Sequence, residues 1–320
     1  VKLLLLYYAK VTNDAFNKFA LSSTDLELKS DDLSVYGSKM DRLSYHEVHR
    51  LLTQQKPFDA ILIGDIFWDT GQNICRWGQD NKVPVFFLQH GQWIYITNKK
   101  DPKYLPTATF VYGDKIQQMM SSWEYSKRSK VYVTGNPRYD NISRNNSGEY
   151  VYFAPPVMFE NVPSAANRTD RNAFDNLVSL KGIDKEVPML IHPHYREINV
   201  PQLKDMFPYA KFADPQIDPL PLIQKSSKVL THRNSTTVLD AIACGKMTVL
   251  MNFREKDKSF FPRGYFGEFA QESDWPSRCM TNLKSNVTEI SDYEEKARPY
   301  IYLGNASKRI EGIICQWGTE

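Results

Sequence analysis

Short, uninterrupted apolar runs recur along this chain, and most of them break off at a glycine or a polar residue just before a helical stretch. Lys2–Tyr8, Phe58–Ile63, Val83–Leu88, Thr109–Tyr112 and Lys130–Val133 are such runs, with helices predicted over His46–Gln54, Gln72–Gln79 and Asp114–Trp123. A strand with no polar alternation is buried on both faces, which requires a parallel sheet with helices on each side. The pattern therefore predicts a doubly wound α/β domain, whose ligands sit beyond the carboxyl ends of its strands. Residues 11–43 do not follow the pattern and read as a polar, irregular excursion.

Residues 141–149, Asn-Ile-Ser-Arg-Asn-Asn-Ser-Gly-Glu, form a polar linker. The alternation then restarts. Strands are predicted at Tyr150–Phe153, Met189–Ile191 and Tyr209–Phe212, and helices at Thr169–Leu180 and Leu220–Lys225. Residues 227–251 read as strand, turn, helix, strand, with Gly245 closing the helix. Residues 252–277 are rich in Arg, Lys and aromatics and suit a lid, and Asp292–Gln316 reads as largely helical. The expected domains are 1–145 and 146–320, with the final helix packing back toward the first, and two such domains would face one another across a cleft.

Composition narrows the function. A net charge of +3 over 320 residues gives no electrostatic case for nucleic acid. The four cysteines (Cys75, Cys244, Cys279, Cys315) have neither CxxC nor metal spacing, so they read as reduced thiols of a cytoplasmic protein. No apolar run reaches membrane-spanning length, and Lys2–Tyr8 reads as a buried strand and not as a signal peptide.

Five strand-end loops hold the unusual polar residues. Asp65 follows the second run as a helix N-cap or a catalytic carboxylate. His90, in Gln89-His90-Gly91, suits a general base, because its ordinary pKa is near neutrality and the glycine leaves room for a substrate. Arg138, in Gly135-Asn136-Pro137-Arg138-Tyr139-Asp140, could hold a phosphate or carboxylate bidentately. His192-Pro193-His194 offers two imidazoles to a phosphate or a base carbonyl, and no third ligand of suitable spacing follows to make a metal site. Arg233 and Asn234 lead into the three hydroxyls Ser235, Thr236 and Thr237 at a helix start, where free N–H groups and the helix dipole favour an anion. An ordinary Ser/Thr N-cap explains the same turn without a ligand.

Taken in order, Gln89-His90-Gly91, Gly135-x-Pro137-Arg138-x-Asp140, His192-Pro193 and Ser235-Thr236-Thr237 with Asp240 resemble the CDP-glycerol glycerophosphotransferases of teichoic-acid and capsule synthesis. The His-Pro and hydroxyl pair is also similar to bacterial sialyltransferases and capsule Kdo transferases. The resemblance covers about residues 58–251. It departs at Gln89, where that family has Trp, at Asn136 for Tyr, and at Arg233-Asn234 for Asp-Tyr.

The resemblance implies a GT-B fold and a cytidine-activated donor, CMP-Kdo-like by preference and CDP-glycerol next. It implies a glycan or glycolipid acceptor in bacterial surface polysaccharide synthesis, in the cytoplasm or at the inner face of its membrane. Residues 11–43 would carry acceptor-side loops. His192, Pro193 and His194 would contact the nucleotide, and the turn Ser235–Thr237 its phosphate. Arg138, Arg196 and Arg233 would supply positive charge, since no Asp-x-Asp metal motif is present and no cofactor is expected. His90 would be the base, with Asp65 the alternative carboxylate. A UDP-GlcNAc 2-epimerase-like enzyme and a non-catalytic carbohydrate-binding module are the competing classes.

Overall fold

The computed structural model describes residues 1–7, 10–66, 68–89, 102–121, 127–144, 147–156, 177–178, 180–194, 200–232, 235–251, 281, 283–284 and 293–317. His90, Gly91, Arg196, Arg233, Asn234, the lid stretch 252–277 and most of the helix expected at 169–180 lie outside these residues. The chain divides into two compact units, Val1–Ile142 with Glu294–Glu320, and Ser143–Tyr293. The second unit thus ends at Tyr293 and not at 320, and the last stretch belongs to the first unit.

The first unit is a six-stranded parallel sheet of β1 (Lys2–Tyr7), β2 (Glu27–Asp32), β3 (Ala60–Ile63), β4 (Val85–Leu88), β5 (Ala108–Val111) and β6 (Lys130–Val133). Its order is β2-β1-β3-β4-β5-β6. Leu3 to Leu6 of β1 are buried on both sides, and each such side chain contributes about 1.5–3 kcal/mol relative to exposure. Between the strands lie α1 (Lys10–Ser22), α2 (Tyr45–Gln55), α3 (Asp69–Asn81) and α4 (Asp114–Ser121). Helix α2 begins in a capping box: the Glu47 N–H donates to Ser44 Oγ at 3.3 Å, and the Ser44 N–H donates to Glu47 Oε2 at 2.7 Å.

Residues 11–43 correct the sequence reading. They form most of α1, the edge strand β2 and a 3₁₀ segment over Leu33–Arg42. Phe16 and Phe19 carry α1 into the core, but Asn13, Asp14, Asn17 and Lys18 dilute its apolar stripe. Strand β2 reads Glu-Leu-Lys-Ser-Asp-Asp and is at most half-buried, as an edge strand permits, so it leaves no apolar run to read.

The second unit is a five-stranded parallel sheet in the order β11-β10-β7-β8-β9. Its strands are β7 (Val151–Ala154), β8 (Met189–Ile191), β9 (Lys211–Phe212), β10 (Lys228–His232) and β11 (Met247–Met251), joined through α5 (Val200–Met206), α6 (Pro219–Gln224) and α7 (Thr237–Ala243). Helix α7 closes as expected. Gly245 takes φ +71°, its N–H donates to the Ile242 carbonyl, and the Lys246 N–H donates to the Ala241 carbonyl. Those two bonds are the Schellman arrangement, which favours glycine at that position.

The C-terminal stretch is less continuous than predicted: α8 (Tyr293–Ala297) and α9 (Ala306–Trp317) are separated by a non-helical segment. Ile310 and Ile314 of α9 enter the core of the first sheet beside Leu3, Leu5 and Phe86.

Candidate functional site

In each sheet the chain leaves its first strand in one direction and later returns to the opposite side. The reversal falls between β1 and β3 in the first unit and between β7 and β10 in the second. Carboxyl-edge crevices at such points are where open α/β sheets bind ligands. Asp65 follows β3, His192 follows β8 next to β7, and Ser235–Thr237 follow β10. Asp65, His192 and Ser235–Thr237 thus fall at these two edges, each within its own unit.

His192 lies at the second edge with 8% of its surface exposed. Its Nε2 is 3.1 Å from the carbonyl of Asp214, and its Nδ1 is 2.6 Å from Tyr152 Oη. A carbonyl only accepts, so Nε2 carries the proton and the tyrosine hydroxyl donates to Nδ1. Both ring nitrogens are therefore engaged. The ring fixes the loop after β8 to the loop after β9. Pro193 is buried and His194 is exposed, so His194 is the imidazole of this motif that reaches the surface.

Burial pushes the His192 pKa below its ordinary 6.5, opposed by its hydrogen bonds to the Asp214 and Pro215 main chain and by the charges of Asp214 and Asp218. The unfolded chain therefore takes up the proton first. Stability from this group is complete above about pH 6.5 and is lost as pH falls through the lower folded value. Melting temperature should fall more steeply below pH 6.5 in the wild type than in His192→Gln. Parallel curves for the two proteins would contradict the assignment.

The hydroxyl turn is half-buried and partly used by the helix itself: the Thr237 N–H donates to Ser235 Oγ at 3.2 Å. Thr236 occupies the N-cap position and makes no side-chain cap bond. The ordinary capping role thus takes one hydroxyl, leaving those of Thr236 and Thr237 outside it. Asp240, within α7, is buried.

The Gly135–Asp140 motif makes contacts within the first unit. Arg138 is 4% exposed, belongs to the first unit, and its Nη1 donates to Asp14 Oδ2 at 2.6 Å. That ion pair, buried on the arginine side and part-exposed at Asp14, ties the motif to α1. Asn136 caps the short 3₁₀ turn by accepting from the Arg138 N–H at 2.8 Å. Gly135 takes φ +75°, and a Cβ there would lie 2.0 Å from the Tyr302 carbonyl. Asp140 accepts from the Ala306 and Ser307 N–H groups at 2.7 and 2.8 Å, capping α9. The motif is the socket of the C-terminal helix.

Asp65 is 1% exposed, and its Oδ1 accepts from the Trp68 N–H at 3.3 Å. It organises the β3–α3 turn. The sequence reading missed Tyr152, Asp14 and Trp68. Tyr152 had a signal: a hydroxyl inside an otherwise apolar strand must find a partner. Asp14 had none, since its pairing with Arg138 spans 124 residues.

No family model matches the chain, and no curated protein matches it. Solved structures do. Staphylococcus aureus MnaA with UDP is 14% identical, with a TM-score of 0.65 over 99% of this chain and 96% of that one. The UDP-GlcNAc 2-epimerase of Methanocaldococcus jannaschii, with UDP-GlcNAc and UDP, is 13% identical, with a TM-score of 0.64 over 99% and 100%. MurG of Acinetobacter baumannii is 11% identical, with a TM-score of 0.56 over 99% and 100%. At these identities the likeness is one of fold. That fold is GT-B: two Rossmann-like parallel-sheet α/β units, one of six strands and one of five.

Proposed function

We propose that the chain is a GT-B glycosyltransferase that takes a sugar from a pyrimidine-nucleotide donor. The observation that carries this reading is the locked His192. A buried imidazole bonded at both nitrogens joins the loops after β8 and β9 beside the reversal point of the second sheet, a preorganised edge of the kind ligands occupy. The donor nucleotide lies there, with His194 exposed toward it and its phosphate on Ser235–Thr237. Arg233 and Asn234 directly precede that turn in the sequence. Fold neighbours with bound UDP or dTDP support a pyrimidine nucleotide.

The cytidine preference rests on the motif resemblance alone. So do the Kdo-like sugar and the surface-polysaccharide role, with a glycan or glycolipid acceptor at the inner face of the membrane. Among the described residues no helix is long and apolar enough to cross a membrane. In the proposed reaction His90 deprotonates an acceptor hydroxyl, and departure of the donor phosphate is eased by basic and hydroxyl groups without a metal.

Thermal shifts with CMP, CDP, UMP, UDP, dTDP and GDP test the donor. A ligand that binds only the folded state stabilises by about 2.7 kcal/mol at one hundred times its dissociation constant. The expected result is a shift with pyrimidine nucleotides that weakens in His194→Ala. A shift with GDP alone would overturn the reading. Fold similarity to a UDP-GlcNAc 2-epimerase favours a second reading. Incubation with UDP-GlcNAc and no acceptor separates the two, since conversion to the C2 epimer would establish the epimerase.

A further inference from the structure

A tryptophan stands where the chain should have placed a small polar residue. Trp68 is the N-cap of the thirteen-residue α3 and makes no side-chain cap bond, whereas Ser, Thr, Asp and Asn are strongly preferred there. The capping work is done from a distance by Asp65 Oδ1, which accepts the Trp68 N–H. A local rule broken in this way is a sign of function when nothing in the packing requires it. Trp68 is 44% exposed, while Trp77, further along the same helix, is buried.

The described residues on either side of Trp68 are closely packed and hydrogen-bonded. Ile66 and Asp65 are buried. Gly71 lies so close that a Cβ on it would come within 2.3 Å of the Asp65 carbonyl and 2.8 Å of Ile66 Cα. The Gln72 amide donates to the carbonyls of Ile66 at 2.6 Å and Tyr104 at 2.9 Å, and its oxygen accepts the Tyr104 N–H at 3.0 Å. This stretch follows β3, on one side of the reversal between β1 and β3, where an open α/β sheet takes a ligand.

We infer that Trp68 is the stacking platform of a carbohydrate-binding site at the carboxyl edge of the first sheet, and that its ligand is an uncharged pyranose ring. A half-exposed indole offers a large apolar contact at little conformational cost. The C–H face of a pyranose is its chemical match. Asp69, the next residue, is exposed and can accept hydrogen bonds from ring hydroxyls. Asp65 and Asp69 bring two carboxylates to one five-residue turn, which disfavours a sugar bearing a carboxylate or a phosphate. The inference deepens the transferase reading by giving the acceptor class, and it rests on that reading for the word acceptor.

The test uses the full chain and saturation-transfer NMR with methyl β-glucoside, methyl N-acetyl-β-glucosaminide, glucuronate and glycerol. Both glycosides should bind the wild type, glucuronate should bind more weakly, and glycerol, which has no ring, should not bind. Trp68→Ala should weaken the glycosides about tenfold, and Trp68→Phe should retain most of the affinity. Asp69→Asn should narrow the gap between glucoside and glucuronate. Circular dichroism of each variant checks folding, and UDP and CMP titrations of Trp68→Ala should match the wild type. Equal glycoside binding by Trp68→Ala and wild type, or none by the wild type, overturns the inference. Trp68-dependent glycoside binding in a protein that binds no nucleotide would instead overturn the transferase reading and leave the carbohydrate site standing.

Discussion

Asp140→Ala should lower the stability of the first unit by about 2–4 kcal/mol, summed from a lost N-cap and a buried N–H group left without a partner. The carboxylate accepts two N–H groups at the start of α9, from Ala306 and Ser307, and both residues are buried. Water cannot replace the lost acceptor there without opening the packing. The negative charge also lies at the positive end of a twelve-residue helix. Ile310 and Ile314 hang from that helix into the core of the first sheet, so fraying at Ala306 spreads into the core. Asp140→Asn keeps one acceptor and should recover part of the loss. Amide hydrogen exchange reads the effect directly. Exchange at Ala306 and Ser307 should rise by orders of magnitude in Asp140→Ala, and unchanged protection would refute the capping role.

Removing the proposed base should have the largest effect on rate. His90→Ala is expected to lower turnover by roughly 10²–10⁴-fold with donor affinity nearly unchanged. The residue before His90 in the sequence, Gln89, is held by three hydrogen bonds. The Gln89 N–H donates to the Phe110 carbonyl at 3.0 Å, its Oε1 accepts the Tyr112 N–H at 3.2 Å, and its carbonyl accepts from Asn136 Nδ2 at 3.4 Å. Asp65 is the rival carboxylate, but it is buried, with one oxygen bonded to the Trp68 N–H, and a base must reach its proton. Measuring released nucleotide at saturating donor for His90→Ala and Asp65→Asn decides between them. Near wild-type turnover in the first beside an inactive second would transfer the role to Asp65.

The proposed donor loops and the helix socket differ in how much of their role shows locally. His192-Pro193-His194 and the hydroxyl turn are legible because special chemistry at a strand end is unusual by itself. Which of the two imidazoles is used up inside the protein is not legible, because the answer depends on Tyr152 forty residues earlier and on a carbonyl at Asp214. The Gly135–Asp140 motif is conspicuous for the same reason as a site would be. A glycine, a proline, an arginine and an aspartate in a tight turn serve a helix dock as well as they serve a phosphate.

The sequence by itself determined the two parallel sheets, since runs such as Ala60–Ile63 and Val85–Leu88 tolerate water on neither face, and period and polarity are local properties. It also determined the Schellman end of α7 at Gly245, which depends on neighbours in the chain. Only the tertiary structure decided that residues 11–43 hold a helix and an edge strand, because an edge strand has a partner on one side and needs no apolar signature. Only the tertiary structure gave residues 294–320 to the first unit and spent Arg138 and Asp140 on Asp14 and α9. A charged side chain carries the same information whether it meets a ligand or a distant part of its own chain, and burial with a particular partner is what separates the two.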